Sequence, residues 1–316
     1  MKAVRSMNRR SFIKASSLVA AGAAVGVIRA SASFDGLIDG MKREAKTAPV
    51  KLVPLTPGLS VLENTGGNIT IFHSPTATLL VDSGIAEQRS QIFAALRDAK
   101  VAPVKDVVNT HWHFDHTSGN SSFHEGGARL TAHENTLKHL LVPTTVTPWK
   151  YTFEPIPRAG RPTNLLRGNG EIDMADEHAA IYFVEHAHTD GDLVVHFEQA
   201  DVISTGDVFW NGHYPFIDNE AGGSIDGMIK ATQFALARSS SKTVFVPGHG
   251  PVASKANLQE YLEMLGTVRD AVARLKARGL PMEEVTAAKP TSRFDSKYGD
   301  YAVAPDDFVR LVFQGV

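Results

Sequence analysis

The sequence predicts an α/β fold (α+β in some classifications), and three observations predict it. Short β-rich runs recur from Leu52 onward, bounded by turn signals. Segments of helical pattern lie between some of them, at 85–100, 133–141 and 225–238. Side chains able to bind a metal stand at the C-terminal ends of the strand-like runs, where α/β folds usually place their chemistry. With 316 residues and 43% hydrophobic content, the chain is long enough to bury a sizeable core.

Taken in order, residues 1–32 read as an export signal. Arg9-Arg10-Ser11-Phe12-Ile13-Lys14 precedes a small apolar run at 18–28, and Ala30-Ser31-Ala32 offers a cleavage site. The apolar run is short of the roughly 20 residues that span a bilayer. The paired arginines with Phe12 and Lys14 resemble the bacterial twin-arginine signal, which implies passage of a folded protein through that translocation machinery to the periplasm or beyond. Residues 33–51 read as an irregular polar lead-in, 52–255 as the main domain, and 256–316 as a helical extension packed on it.

Within the main domain, 68–72 and 77–81 form a hairpin split by Ser74-Pro75. An amphipathic helix carries Ile92, Phe93 and Leu96 on one face, and the strand 104–109 follows. A strand at 128–132 and the helix 133–141 lead into a proline-rich connection at 142–170, long enough to suggest a functional element near the substrate entrance. Strands resume at 179–185, 192–198, 202–205 and 243–246. The stretch 258–277 is strongly helical, and 308–313 is a final helix, a final strand or a contact with a second subunit. The sequence does not set the oligomeric state.

Removing 1–32 takes away six basic residues and no acidic one, moving the formal charge from −2 to −8. An acidic mature chain without a basic domain opposes nucleic-acid binding, which relies on Lys and Arg neutralising phosphates. No cysteine is present, so neither thiolate ligands nor thiol nucleophiles are available. Histidine and carboxylate must carry the chemistry.

They concentrate at 110–119, Thr-His-Trp-His-Phe-Asp-His-Thr-Ser-Gly, where His111, His113, Asp115 and His116 fall within six residues. Imidazole plus carboxylate is the donor set that zinc and similar divalent ions prefer. Three later segments each end a strand-like run in a small-residue turn with one metal-competent side chain: His188, Asp207 in Gly-Asp, and His249 in Pro-Gly-His-Gly.

In this order, His-x-His-x-Asp-His, a later His, Gly-Asp and Pro-Gly-His-Gly resemble the metallo-β-lactamase fold superfamily, over most of 52–255. The resemblance implies a four-layer αβ/βα sandwich with a dinuclear metal site at the sheet edges. It assigns His111, His113 and His188 to one ion, Asp115, His116 and His249 to the other, and Asp207 to both. Two divalent ions, zinc foremost with iron the other candidate, would make a bridging water into the nucleophile that attacks a carbonyl, with Asp115 also able to orient it. Asp207 stands near the place where the best-known β-lactamases of the family hold a cysteine, which makes the chain look more like the glyoxalase II and lactonase branches. The implied function is an exported hydrolase of a small-molecule ester, thioester, lactone or lactam. The alternatives are a mononuclear iron oxygenase resembling persulfide dioxygenases and a metallo-β-lactamase proper.

Around these positions, Asp82 ends its strand as a support for the histidine loop or as a simple cap. Trp112, Phe209, Trp210 and Tyr214 are candidate pocket residues, with Tyr214 or His213 as possible polar contacts to substrate and Tyr214 as an oxyanion donor.

Overall fold

The computed structural model describes residues 36–174 and 177–316, so the export-signal reading of 1–32 lies outside the described residues. Two β-sheets face each other. The first runs in the order β1 (Lys51–Thr56), β2 (Leu59–Glu63), β3 (Ile69–His73), β4 (Thr78–Val81), β5 (Val104–Val108), β6 (Arg129–His133) and a short strand at Asn164–Leu166. The hairpin expected at 68–81 is the antiparallel pair β3/β4, with Ile71 opposite Leu80. Helix α2 (Arg89–Asp98) then crosses over so that β5 lies parallel to β4.

The second sheet is built from Gly170–Met174, Glu177–Phe183, Leu193–Phe197, Val202–Trp210, Val244–His249 and Ala253–Ser254, numbered β10 to β15 once Thr144–Val146, Tyr151–Phe153 and Asn164–Leu166 are counted as β7 to β9. Its one parallel pair among the described residues, β13/β14, is joined through the helix Ile225–Ala237.

Strand alternation explains the layering. In β2 and β4, Leu59, Val61, Leu79 and Val81 point inward to meet Ile181, Leu193, Val195, Phe197 and Val246 of the other sheet. Their neighbours Leu62 and Leu80 point outward and pack with Ile71 beneath Ile92 and Leu96 of α2. On the far side, Val194, Ile203 and Phe245 meet the helices Ile225–Ala237, Lys255–Ala277 and Pro305–Gln314. The order helix, sheet, sheet, helix is the four-layer αβ/βα sandwich.

Two expectations are corrected, and among the alternatives for 308–313 the helix is the one observed. The lead-in at 33–51 is not irregular, because Leu37–Ala45 forms a helix, α1, whose Ile38 and Ala45 are buried at helical spacing with Met41 packed between them. The connection at 142–170 carries the small hairpin β7/β8 and the edge strand β9. Residues 308–313 fall inside the helix Pro305–Gln314, which buries Phe308, Val309 and Val312 in the outer core. Among the described residues, no helix is long and apolar enough to cross a membrane.

Candidate metal centre

Four chain segments deliver the candidate ligands to one point. β5 stops at Val108, and the next turn carries His111 and His113 into the one-turn helix Phe114–Thr117, which holds Asp115 and His116. His188 lies in the loop between β11 and β12, Asp207 within β13, and His249 at the last position of β14. All seven residues are at least 95% buried. They fall into two groups, His111, His113, His188 and Asp207, and Asp115, His116 and His249, with the candidate ligand atoms of each group within 4.8 Å of one another.

The ring nitrogens remote from the centre are held by acceptors, which fixes the tautomers. His116 Nδ1 donates to Asp82 Oδ2 at 2.8 Å, His188 Nδ1 to the Phe216 carbonyl at 2.8 Å, and His113 Nε2 to Asp218 Oδ2 at 3.0 Å. Thr110 Oγ1, itself donating to Asp82 Oδ2, receives His111 Nδ1 at 3.0 Å. In the neutral rings the other nitrogens are therefore lone pairs aimed inward. His188 Nε2 faces His113 Nδ1 at 2.9 Å, an arrangement of two lone pairs that a shared cation relieves. His111 Nε2, His116 Nε2 and Asp207 Oδ1 are buried without a hydrogen-bond partner among the described residues, which is costly for groups of this polarity unless something fills the space. The carboxylate of Asp207 lies between the groups, with Oδ1 3.1 Å from His116 Nε2 and Oδ2 3.5 Å from His188 Nε2 and 3.3 Å from His249 Nε2. The donor set therefore fits divalent metal.

Burial pushes His111 and His188 down, His188 to about 4, so both are neutral donors at neutral pH. Burial acts the same way on His116 and His249, but the carboxylates of Asp207 and Asp115 outweigh it, raising His116 well above the usual imidazole range and His249 to about 9. Burial would raise Asp207, yet the charges of His249 and His116 outweigh it and hold Asp207 well below the carboxylate range. In metal-free protein the second group thus keeps protons that an ion would displace.

Two aspartates brace the site in the same manner. Asp82 accepts from Thr110 N at 2.7 Å and Thr110 Oγ1 at 2.8 Å. Asp192 accepts from Thr189 N at 2.8 Å and Thr189 Oγ1 at 2.6 Å, pinning the loop of His188. Asp82 thus supports the histidine loop and does not cap a helix. Close backbone approach is required elsewhere. A Cβ at Gly67 would run into the His116 imidazole, and one at Gly248 into Asp207 Oδ1. Gly67→Ala is expected to displace His116 and weaken zinc binding about 10–100-fold, the cost typical of disturbing a ligand's support, as read by competition with a chromophoric chelator.

The aromatic candidates divide. Trp210 lines the cavity above the ligands, its ring 4.2 Å from His249. Trp112 packs against His113 at 4.6 Å and faces a neighbouring cavity with Tyr151 and Phe153. Phe209 and Tyr214 are corrected. Phe209 is fully buried against Tyr261 in the helical layer. Tyr214 is equally buried, stacks on Phe308 and spends its hydroxyl on Asp295 Oδ1 and the Thr291 carbonyl, so it cannot serve an oxyanion. The sequence reading missed Asp218, Trp149 and Tyr301, none of which has a spacing signal relative to the ligands, whereas Phe216, in the run after Asp207 expected to line a pocket, does lie on the cavity wall. Trp149 comes from the 142–170 connection and places that segment on the cavity wall.

The metallo-beta-lactamase superfamily model matches residues 62–253. The chain belongs to that superfamily. Among superfamily relatives, it is similar to the metallo-beta-lactamase type 2 of Bacillus sp. (strain 170), 24% identical over 200 residues that cover 63% of this chain and 72% of that protein. It is also similar to the linear primary-alkylsulfatase of Pseudomonas sp. (strain ATCC 19151), 22% identical over 288 residues, 78% of this chain but only 54% of that one. A solved superfamily fold, the stereoselective inverting sec-alkylsulfatase Pisa1 from Pseudomonas sp., superposes with a TM-score of 0.63 at 14% identity, covering 87% of this chain and 51% of the other. The chain thus spans about half the length of the alkylsulfatases it resembles.

Proposed function

We propose that the protein is an exported hydrolase with two divalent ions, zinc foremost, that cleaves a neutral, moderately apolar ester, thioester, lactone or lactam in the periplasm or outside the cell. His111, His113 and His188 would hold one ion, Asp115, His116 and His249 the other, with Asp207 between them. When bound, such ions supply a water acidic enough to act as nucleophile at neutral pH and polarise the carbonyl. The chain's own residues do the rest. Asp82, Asp218 and the Phe216 carbonyl hold the imidazoles in one tautomer. Trp149, Trp210 and Phe216 keep bulk water from the reacting atoms.

The observation that carries this reading is the pairing of seven convergent donors with a cavity whose lining, among the described residues, contains no Lys or Arg. Leu37 and Met41 of α1 close one side with apolar groups. A filled second group, Asp115, His116 and His249, favours two ions over a single iron. The likeness to alkylsulfatases favours a second reading, sulfate-ester hydrolysis, but an anionic substrate would find no basic side chain on this lining.

Zinc-loaded protein assayed in parallel on p-nitrophenyl butyrate, a γ-lactone, an acyl thioester, nitrocefin and an alkyl sulfate tests the choice. Turnover of neutral carbonyl substrates at least about 100-fold above that of the sulfate is expected, since a sulfate ester would have to be desolvated without help from any Lys or Arg on the described lining. Preference for the sulfate overturns the carbonyl reading, and thiol-dependent oxygen uptake by iron-loaded protein overturns the hydrolase reading.

A further inference from the structure

The metal cavity is completed by a segment outside the residues that match the family model. Between the short helix Asp295–Tyr298 and the helix Pro305–Gln314, Tyr301, Ala302 and Val303 form part of its wall. This segment is firmly seated. Tyr214 N donates to the Tyr298 carbonyl at 2.9 Å, Tyr214 Oη to Asp295, and Val303 is 1% exposed. The Tyr301 ring stacks on His213 at 4.2 Å and lies 6.0 Å from Trp210 and 6.2 Å from His249.

Apart from the candidate ligands, the lining is apolar or aromatic, and Tyr301 is its sole hydroxyl among the described residues. That hydroxyl has no hydrogen-bond partner among the described residues, unlike that of Tyr214. The other candidate donors on the lining, the indole nitrogens of Trp149 and Trp210, are sealed from solvent. A carbonyl compound occupying this cavity therefore meets one available side-chain donor that is not a ligand.

We propose that Tyr301 is a catalytic residue of this site, donating a hydrogen bond from its phenol to the substrate's carbonyl oxygen as that oxygen takes on negative charge. The assignment rests on the hydrolase reading above. As the water oxygen bonds to the carbonyl carbon, the C=O π pair moves onto the oxygen facing Tyr301. When the pair returns, the bond to the leaving group breaks and that group takes up a proton that came from the water. Tyr301 keeps its own proton throughout and acts only by stabilising the intermediate charge. Supplied by the C-terminal segment, this donor replaces the oxyanion role that Tyr214 cannot fill.

Tyr301→Phe keeps the ring and its stacking on His213 while removing the donor. In zinc-loaded protein it is expected to lower kcat about 10²–10³-fold, the range for loss of one oxyanion donor, with KM changed less than about threefold and zinc content unaltered. An unchanged kcat overturns the proposal. Calorimetric binding of n-butylphosphonate monomethyl ester, a tetrahedral anion, gives a readout that does not depend on turnover. Tyr301→Phe should weaken it at least about tenfold and leave butyramide binding alone. If wild-type protein hydrolyses no carbonyl substrate, the functional reading fails while the phosphonate comparison still decides whether Tyr301 meets a developing oxyanion. Equal phosphonate affinities for wild type and variant, or none for either, overturn the assignment.

Discussion

Asp207→Ala is expected to reduce hydrolysis by at least about 10³-fold and to abolish tight binding of both ions, because its two carboxylate oxygens face the two groups of donors at 3.1–3.5 Å. The same substitution should alter how the metal-free protein responds to pH. Burial lowers His249, but Asp207 and Asp115 overcome it and raise the group from 6.5 to about 9. A raised histidine contributes stability that is fully present below pH about 6.5 and is lost as pH rises through about 9. Metal-free wild type should therefore lose melting temperature between those limits, and Asp207→Ala should lose less. Zinc displaces the proton, so the melting-temperature gain on adding zinc to wild type should grow over the same interval. Scanning calorimetry at pH 6, 7.5 and 9 on both proteins, with and without zinc, reads all three effects.

Replacing Asp82 by alanine should have the next largest effect. One buried carboxylate accepts from Thr110 N, Thr110 Oγ1 and His116 Nδ1, so its loss leaves two loop donors unpaired and frees the His116 ring to turn. Burial raises the carboxyl above the ordinary range and the His116 charge pulls it partly back, marking a group held at some cost by its partner. Zinc affinity is expected to fall about 10–100-fold. Stability of the metal-free protein should fall by about 1–3 kcal/mol for each donor left unsatisfied. Asp82 adopts a positive φ of 68°, a conformation asparagine tolerates, so Asp82→Asn should keep the backbone turn and most of the stability while still weakening zinc. Chelator competition and urea denaturation separate the two outcomes. Equal zinc affinity in all three proteins would show that His116 needs no such support.

The local part of the site was legible because its chemistry is local. His111, His113, Asp115 and His116 sit on one turn, while His188 stands in the loop after β11, Asp207 within β13 and His249 at the end of β14, each marked in the sequence by an apolar run followed by small residues. What supports them was not. Asp218 meets His113 across 105 residues, and Tyr301 reaches the cavity only because the C-terminal helices pack on the outer face of the second sheet. No period or motif encodes either contact.

Phe209 shows a second kind of limit. In an unbroken strand it would share a face with Asp207, but β13 pairs irregularly with β14 on both sides of this stretch, and Gly206 has a φ of 50°. Such bulges re-aim side chains, leaving Trp210 over the metal cavity and Phe209 in the helical layer. The helix α1 was overlooked because only Ile38, Met41 and Ala45 mark its inner stripe within a mostly polar stretch, too few positions to establish a period. Yet that helix supplies Leu37 and Met41 to the cavity. The cavity wall thus includes segments at both ends of the described chain, outside the residues matched by the family model.

In the proposed function one centre would both hold the ions and perform the hydrolysis. Titrating zinc into chelator-stripped protein, while following the neutral carbonyl substrate turned over fastest, tests it most directly. The predicted result is no activity without metal, a plateau at about two equivalents of zinc per chain, and no recovery in Asp207→Ala at any zinc concentration up to saturation of wild type. Full turnover in stripped protein, or a titration that Asp207→Ala leaves unchanged, would contradict it.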